Sequence, residues 1–204
     1  MLKTLEIQIL RKIGKAKGGS LFFNEQFLTF GSNEAVRKAL ERLVKKEKLK
    51  RLSQGIYYKP LEDPVIGKLT PGIESVAKAI AKRDKSRIVP TGIYALNRLG
   101  LSTQVPLNVV YLTDGAGRKI KIGNRTINFK KTTPKNVAAI GEISKLAIQA
   151  LKTIGQNEVT QEQIEKIQLI LKKEKRTHLE YDIRLAPEWI RKIMIPVLKE
   201  QSYG

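Results

Sequence analysis

Across residues 31–59 the apolar positions change period once. Val36, Ala39, Leu40, Leu43 and Val44 recur at steps of three and four, the spacing of a helix with one buried stripe. Ser32 stands where an N-cap side chain accepts a backbone N–H, and Glu34 adds negative charge to the first turn, where the helix dipole favours it. The opposite face carries Asn33, Arg37, Lys38, Glu41, Arg42, Lys45 and Lys46. After Leu49 the pattern changes: residues 50–52 and 56–59 read as strands, joined by Ser53-Gln54-Gly55, with Gly55 free to take positive φ. A basic amphipathic helix followed at once by a basic β-hairpin is the pattern of a winged helix-turn-helix, in which the helix enters the major groove and the hairpin touches the flanking backbone.

Upstream, Leu2, Leu5, Ile9, Leu10 and Ile13 line one side of a helix over residues 1–15, with Ile7 as an extra apolar position. Gly14, Gly18 and Gly19 mark a loop. Residues 21–23 read as a short strand, and Asn24 is placed to cap a short helix over 25–28 anchored by Phe27. Downstream, Pro60, Pro64 and Pro71 make 61–72 a linker. Thr70 and Pro71 then open a helix to about residue 82, with Ile73, Val76, Ala77, Ile80 and Ala81 as its inner face. A strand over 87–90, a helix over 92–99 and a strand over 108–113 follow, the last apolar enough to be buried on both faces. Residues 118–122 and 125–130 alternate in polarity around Gly123-Asn124, the signature of an antiparallel hairpin.

The last third is helical. Residues 143–154 stop at Gly155, and Thr160 with Gln163 forms a capping box for a helix to about residue 172. Pro187 opens a final helix holding Trp189, Ile190, Ile193 and Met194, which Pro196 is expected to end or kink. The expected fold class is α+β: an N-terminal winged helix-turn-helix over residues 1–60, a linker over 61–72, and a mixed α/β domain over 73–204 with an antiparallel hairpin and a helical tail.

Charge sharpens this picture. The 204 residues hold 39 Lys and Arg against 19 Asp and Glu, a formal net charge of +20. Residues 1–60 carry 14 basic and 5 acidic side chains, a net of +9. Such an excess favours polyanions through phosphate contacts and counterion release. There is no cysteine and one histidine, His178, which excludes disulfides, thiolate metal sites and multi-histidine zinc sites. No apolar run approaches the roughly 18 residues of a membrane span, and the first residues alternate charge and hydrophobe unlike a signal peptide, so no membrane association and a cytoplasmic location are expected.

These patterns select candidate residues. Asn33 and Arg37, near the front of the basic helix, are placed to reach base edges, and Arg42 is a further candidate; Arg matches guanine N7 and O6 with two parallel bonds. Lys38 and Lys45 suit phosphates. Arg51, Ser53 and Gln54 of the hairpin suit the backbone or the minor groove. Of Tyr57 and Tyr58, one is expected in the core and the other outside. Arg118, Lys121, Arg125 and Lys130 form a second basic surface on the later hairpin, open to nucleic acid, to a partner or to solvent alone. His178, Glu180 and Asp182 in THLEYD would share one side if that stretch were a strand. No phosphate-binding loop, nucleotide fingerprint or nucleophile elbow is present, so no catalytic residue, metal or cofactor is expected.

Three separated segments also resemble one family. RLSQGIYYKP at residues 51–60 resembles the end of the winged domain of AbiEi-type antitoxins. Pro90-Thr91-Gly92-Ile93-Tyr94-Ala95-Leu96-Asn97-Arg98-Leu99-Gly100-Leu101 is similar to that family's small-residue-rich helix ending in a Gly-Leu step. Gln104-Val105-Pro106 with the strand at 109–113 looks like its continuation. The resemblance implies a non-enzymatic antitoxin of a type IV toxin–antitoxin pair. Its winged domain would repress its own operon at inverted repeats in double-stranded DNA, and its C-terminal part would counteract a nucleotidyltransferase toxin. An alternative from the pattern alone is a protein-interaction module with non-specific nucleic-acid affinity.

Overall fold

The computed structural model describes residues 4–201. It is an α+β protein whose chain divides into two compact units, residues 1–79 with 121–123, and residues 80–120 with 124–204.

In the first unit, helix α1 (Leu5–Gly14) buries Ile9 and Ile13, while Ile7 faces outward. Leu2 lies outside the described residues. Strand β1 (Leu21–Phe23) leads into the short helix expected at 25–28, which is a 3₁₀ segment and runs over Asn24–Phe30. The tighter winding puts Phe27 fully in the core, and the Gln26 side chain accepts from Phe23 N at 3.3 Å. Helix α2 (Asn33–Lys45) buries Val36, Ala39, Leu40 and Leu43. Strands β2 (Lys50–Ser53) and β3 (Ile56–Tyr58) follow, and the sheet order is β1-β3-β2, antiparallel throughout. Lys59, just past β3, donates to the carbonyls of Gly14 and Ala16 at 3.2 and 2.7 Å, and so closes the end of α1. The stretch expected as a linker folds instead as a hairpin, β4 (Leu61–Asp63) with β5 (Gly67–Leu69). Asp63 accepts from the N–H groups of Val65 and Ile66, an Asx-type turn that its Pro and Gly content concealed.

Helix α3 (Ile73–Arg83) crosses the division between the units. Beyond it, β6 (Ile88–Thr91), β7 (Asn108–Thr113), β8 (Arg118–Ile122) and β9 (Arg125–Lys131) form a sheet of order β6-β7-β9-β8, with the short helix α4 (Ile93–Arg98) between β6 and β7. The pairing of β7 with β9 is parallel. A local hairpin signal cannot reveal it, because β8 passes to the edge and the chain returns by the Gly123-Asn124 turn into the central position. β7 is therefore interior, with Val109, Tyr111 and Thr113 buried.

Helices α5 (Glu142–Ile154), α6 (Gln161–Leu171), α7 (Arg176–Leu185) and α8 (Glu188–Glu200) complete the second unit around α5. Leu146, Leu151, Ile167, Leu171, Leu179, Ile190 and Met194 belong to one apolar cluster with Ala95 and Leu99 of the α4 region. The Thr160–Gln163 capping box forms as expected. THLEYD lies on helix α7, not on a strand. Pro196 does not end α8, which continues to Glu200. The proline ring is exposed while Met194 and Val197 are buried on either side, so packing sustains the helix across one missing backbone bond. Among the described residues no helix is long and apolar enough to cross a membrane.

Candidate nucleic-acid interface

The front of α2 is built by its cap. Ser32 Oγ accepts from Ala35 N at 3.3 Å and the Ser32 carbonyl from Val36 N at 2.9 Å, which fixes the first turn. Its rear is closed by a Schellman arrangement: Glu47 N donates to the Val44 carbonyl and Lys48 N to the Leu43 carbonyl, with Glu47 at φ 56. Between these ends the buried stripe turns every polar side chain of α2 to solvent.

Their partners sort these side chains into three groups. Arg42 donates to Glu6 of α1 at 3.0 Å and Lys46 to the same carboxylate at 2.6 Å, and the Lys46 and Arg42 bonds hold the Glu6 carboxyl below its ordinary range. Lys38 pairs along the helix with Glu34 at 2.8 Å. Asn33, Arg37 and Lys45 are exposed, and their side chains have no partner among the described residues. Asn33 and Arg37 are four residues apart and Lys45 eight further on, with exposed Glu41 between them, so one stripe of α2 carries these uncommitted side chains. Asn33 and Arg37, with Glu34, line a shallow concavity open to solvent.

The hairpin stands next to this stripe. Tyr57 is buried, and burial pushes its hydroxyl up in pKa; Arg51, Glu41 and Arg37 all act on that hydroxyl, so β2 and the face of α2 converge around it. Tyr58 is half-buried, which decides the alternation between the two tyrosines. Arg51 is exposed and its Nε donates to the Ser53 carbonyl at 3.4 Å. The β2–β3 register shifts between Arg51 and Ser53, and Gly55 takes φ 69, leaving Gln54 exposed at the tip. The Gly55 carbonyl accepts from Asn24 N at 3.3 Å, tying the tip to the 3₁₀ segment.

Of the second set of basic residues, the two arginines have partners and the two lysines are exposed. Arg118 pairs with Asp84 and lies 5.6 Å over the Phe129 ring, and Arg125 donates to the Pro106 carbonyl at 3.5 Å. Lys121 and Lys130 are exposed.

One polar cluster was not visible in the sequence. Asp182, fully buried, accepts from Ile140 N and Gly141 N at 2.8 Å each and from Ser144 Oγ. Glu174 accepts from Ile143 N at 2.7 Å, Ser144 N at 3.1 Å and Lys175 N at 3.0 Å, with His178 Nδ1 at 3.6 Å. Two carboxylates from distant positions thus cap the buried start of α5. A β-carbon on Gly141 would lie 2.5 Å from the Glu174 carboxylate, so any larger residue there would have to displace the cap. The lone pairs of both acids are occupied by N–H and O–H donors, which makes the cluster a cap rather than a reaction centre. Among the described residues no group of three or more His, Cys, Asp or Glu could hold a metal ion.

The family model described as a family of unknown function, DUF6088, matches residues 8–179. The chain belongs to that family. No curated protein matches it. The DUF6088 match begins within α1, spans the α2–hairpin stretch, the β6–β9 sheet and Glu174 of the α5 cap, and ends within α7, before Asp182.

Proposed function

We propose that the chain is a sequence-specific, double-stranded-DNA-binding transcriptional repressor whose residues 4–59 act as a winged helix-turn-helix. One observation carries the reading: Asn33, Arg37 and Lys45 form an uncommitted stripe on α2, next to a β2–β3 hairpin bearing Arg51 and Gln54. The α1–3₁₀–α2 core over a sheet of order β1-β3-β2 supports it, as does the +9 charge of residues 1–60. α2 enters the major groove, Asn33 and Arg37 read base edges, and Lys38 and Lys45 meet phosphates. Arg51, Ser53 and Gln54 touch the flanking backbone. The resemblance to AbiEi-type antitoxins extends this to autoregulation at inverted repeats of a toxin–antitoxin operon, with a nucleotidyltransferase as the toxin. In this role the protein is cytoplasmic and carries out no catalysis.

Binding to the operon's own promoter tests the reading. Affinity should fall linearly in log–log form as salt rises, and the promoter should outcompete random duplex. Equal binding to specific and random duplexes rules out repression at a defined operator.

A second reading, a protein-interaction module, draws support from the β4–β5 tip, where Val65 is 92% and Ile66 75% exposed. Capture of the neighbouring gene's product at high salt, lost in Val65→Ser/Ile66→Ser, favours it.

A further inference from the structure

We infer that the second unit holds a binding site for a terminal phosphate group, in the recess where Lys135 and Asn136 face Lys145, Gln149 and Lys152 of α5. Residues 145, 149 and 152 fall at steps of four and three, so they share one face of the helix. Gln149 is only 4% exposed, yet its side-chain amide has no hydrogen-bond partner among the described residues, and it lines the recess. The amide reaches the recess, where a ligand or water can bond to it.

The chemistry around that amide is cationic. Lys135 and Lys152 have no acidic partner among the described residues; burial and then Lys135 lower the Lys152 pKa. Lys145 pairs at 2.6 Å with Glu142, a carboxylate that is itself mostly exposed and can swing away. Asn136 gives one amide N–H to Thr132 Oγ1 at 2.8 Å and keeps a second. Three ammonium groups and two amides suit an anion with several acceptor oxygens. The recess has room for about one water-sized group. A terminal phosphate, on a single ester arm, can insert one oxygen there and leave the others at the mouth, beside the lysines. A duplex phosphodiester, flanked by sugars on both sides, cannot enter as far.

The test follows the Gln149 side-chain amide resonance of the full chain by NMR. Sodium phosphate is titrated at constant ionic strength against sodium chloride, and a nucleoside triphosphate and a short duplex are added in parallel. The resonance should shift saturably with phosphate and not with chloride, and the triphosphate should act at lower concentration. Lys135→Gln/Lys152→Gln should weaken phosphate binding by about tenfold or more, since it removes both unpaired charges, while Lys17→Gln leaves it unchanged. Unchanged affinity in the double variant, or a shift that follows ionic strength alone, overturns the site. A duplex as effective as the triphosphate overturns the terminal-phosphate assignment. None of these outcomes depends on operator binding by residues 4–59.

Discussion

Helices α2 and α5 each run 13 residues and each buries an apolar stripe, yet their N-termini are satisfied in opposite ways. α2 begins at the surface and is capped by its own Ser32. α5 is the central helix of its unit, with Leu146 to Leu151 buried in succession, and its first N–H groups are out of reach of water. A buried helix start needs acceptors brought from elsewhere, and Glu174 and Asp182 arrive from 30 to 42 residues away. The comparison separates two uses of charge. In the second unit acids are spent inward on architecture, whereas along α2 the basic side chains remain outside and one stripe of them is unspent.

The largest effect should come from breaking the buried cap. Asp182→Ala strips acceptors from Ile140 N, Gly141 N and Ser144 Oγ at once and should cost about 3 kcal/mol or more in urea unfolding. A loss below about 1 kcal/mol would mean that water reaches the start of α5 after all. Glu174 adds a pH signature. Burial pushes its carboxyl up, but the N–H groups of Ile143, Ser144 and Lys175 outweigh this and hold it below its ordinary value of 4.5. Its folded-state pKa is therefore depressed, so its contribution is complete above the unfolded value and drains as pH falls below it. The stability gap between the native chain and Glu174→Gln should be widest near neutrality and close through the acid range below 4.5. A gap that stays constant into that range would show the negative charge to be idle.

The next effect tests the sorting of cations on α2. Arg37→Ala should remove about 1–3 kcal/mol of discrimination at one base pair of the operator. Arg42→Ala should cost less than half as much, because that guanidinium is already bonded to Glu6. Equal losses in the two variants would erase the distinction between committed and uncommitted side chains. Glu6→Gln sharpens it from the other side: with Arg42 and Lys46 released, DNA affinity should rise and the Arg42→Ala loss should grow.

The two helices also differ in how far the sequence reveals them. For α2, the stripe, the Ser32 cap and the hairpin after Leu49 are all set by neighbours within a few residues, and so they can be read directly. The division of its cations is not readable, because Glu6 lies 36 residues from Arg42. For α5 the helix and its stop at Gly155 are legible, but its start is not: Glu174 looks like one more member of a charge run and Asp182 like part of an alternating segment. Only the folded chain brings them to Gly141. The parallel pairing of β7 with β9 escaped for the same reason, since a hairpin signal is local and strand order is not. The β4–β5 hairpin within residues 61–72 escaped for a different one: prolines and glycines mark both linkers and tight turns, and Asp63 decides between them through two backbone N–H groups.

The smallest effect should be the local cap. Ser32→Ala removes one side-chain acceptor from a helix start that water can reach, so its cost should be about 1 kcal/mol. Ser32→Gly should cost only a few tenths, about the level at which water and backbone freedom replace the hydroxyl. Measured beside Asp182→Ala in the same urea series, the pair isolates exposure of the helix start as the variable. If Ser32→Ala destabilised the chain as much as Asp182→Ala, the front of α2 would have to be dry. A dry front is incompatible with Asn33 and Arg37 reaching out to a duplex, so this modest substitution bears on the DNA reading as well as on the cap.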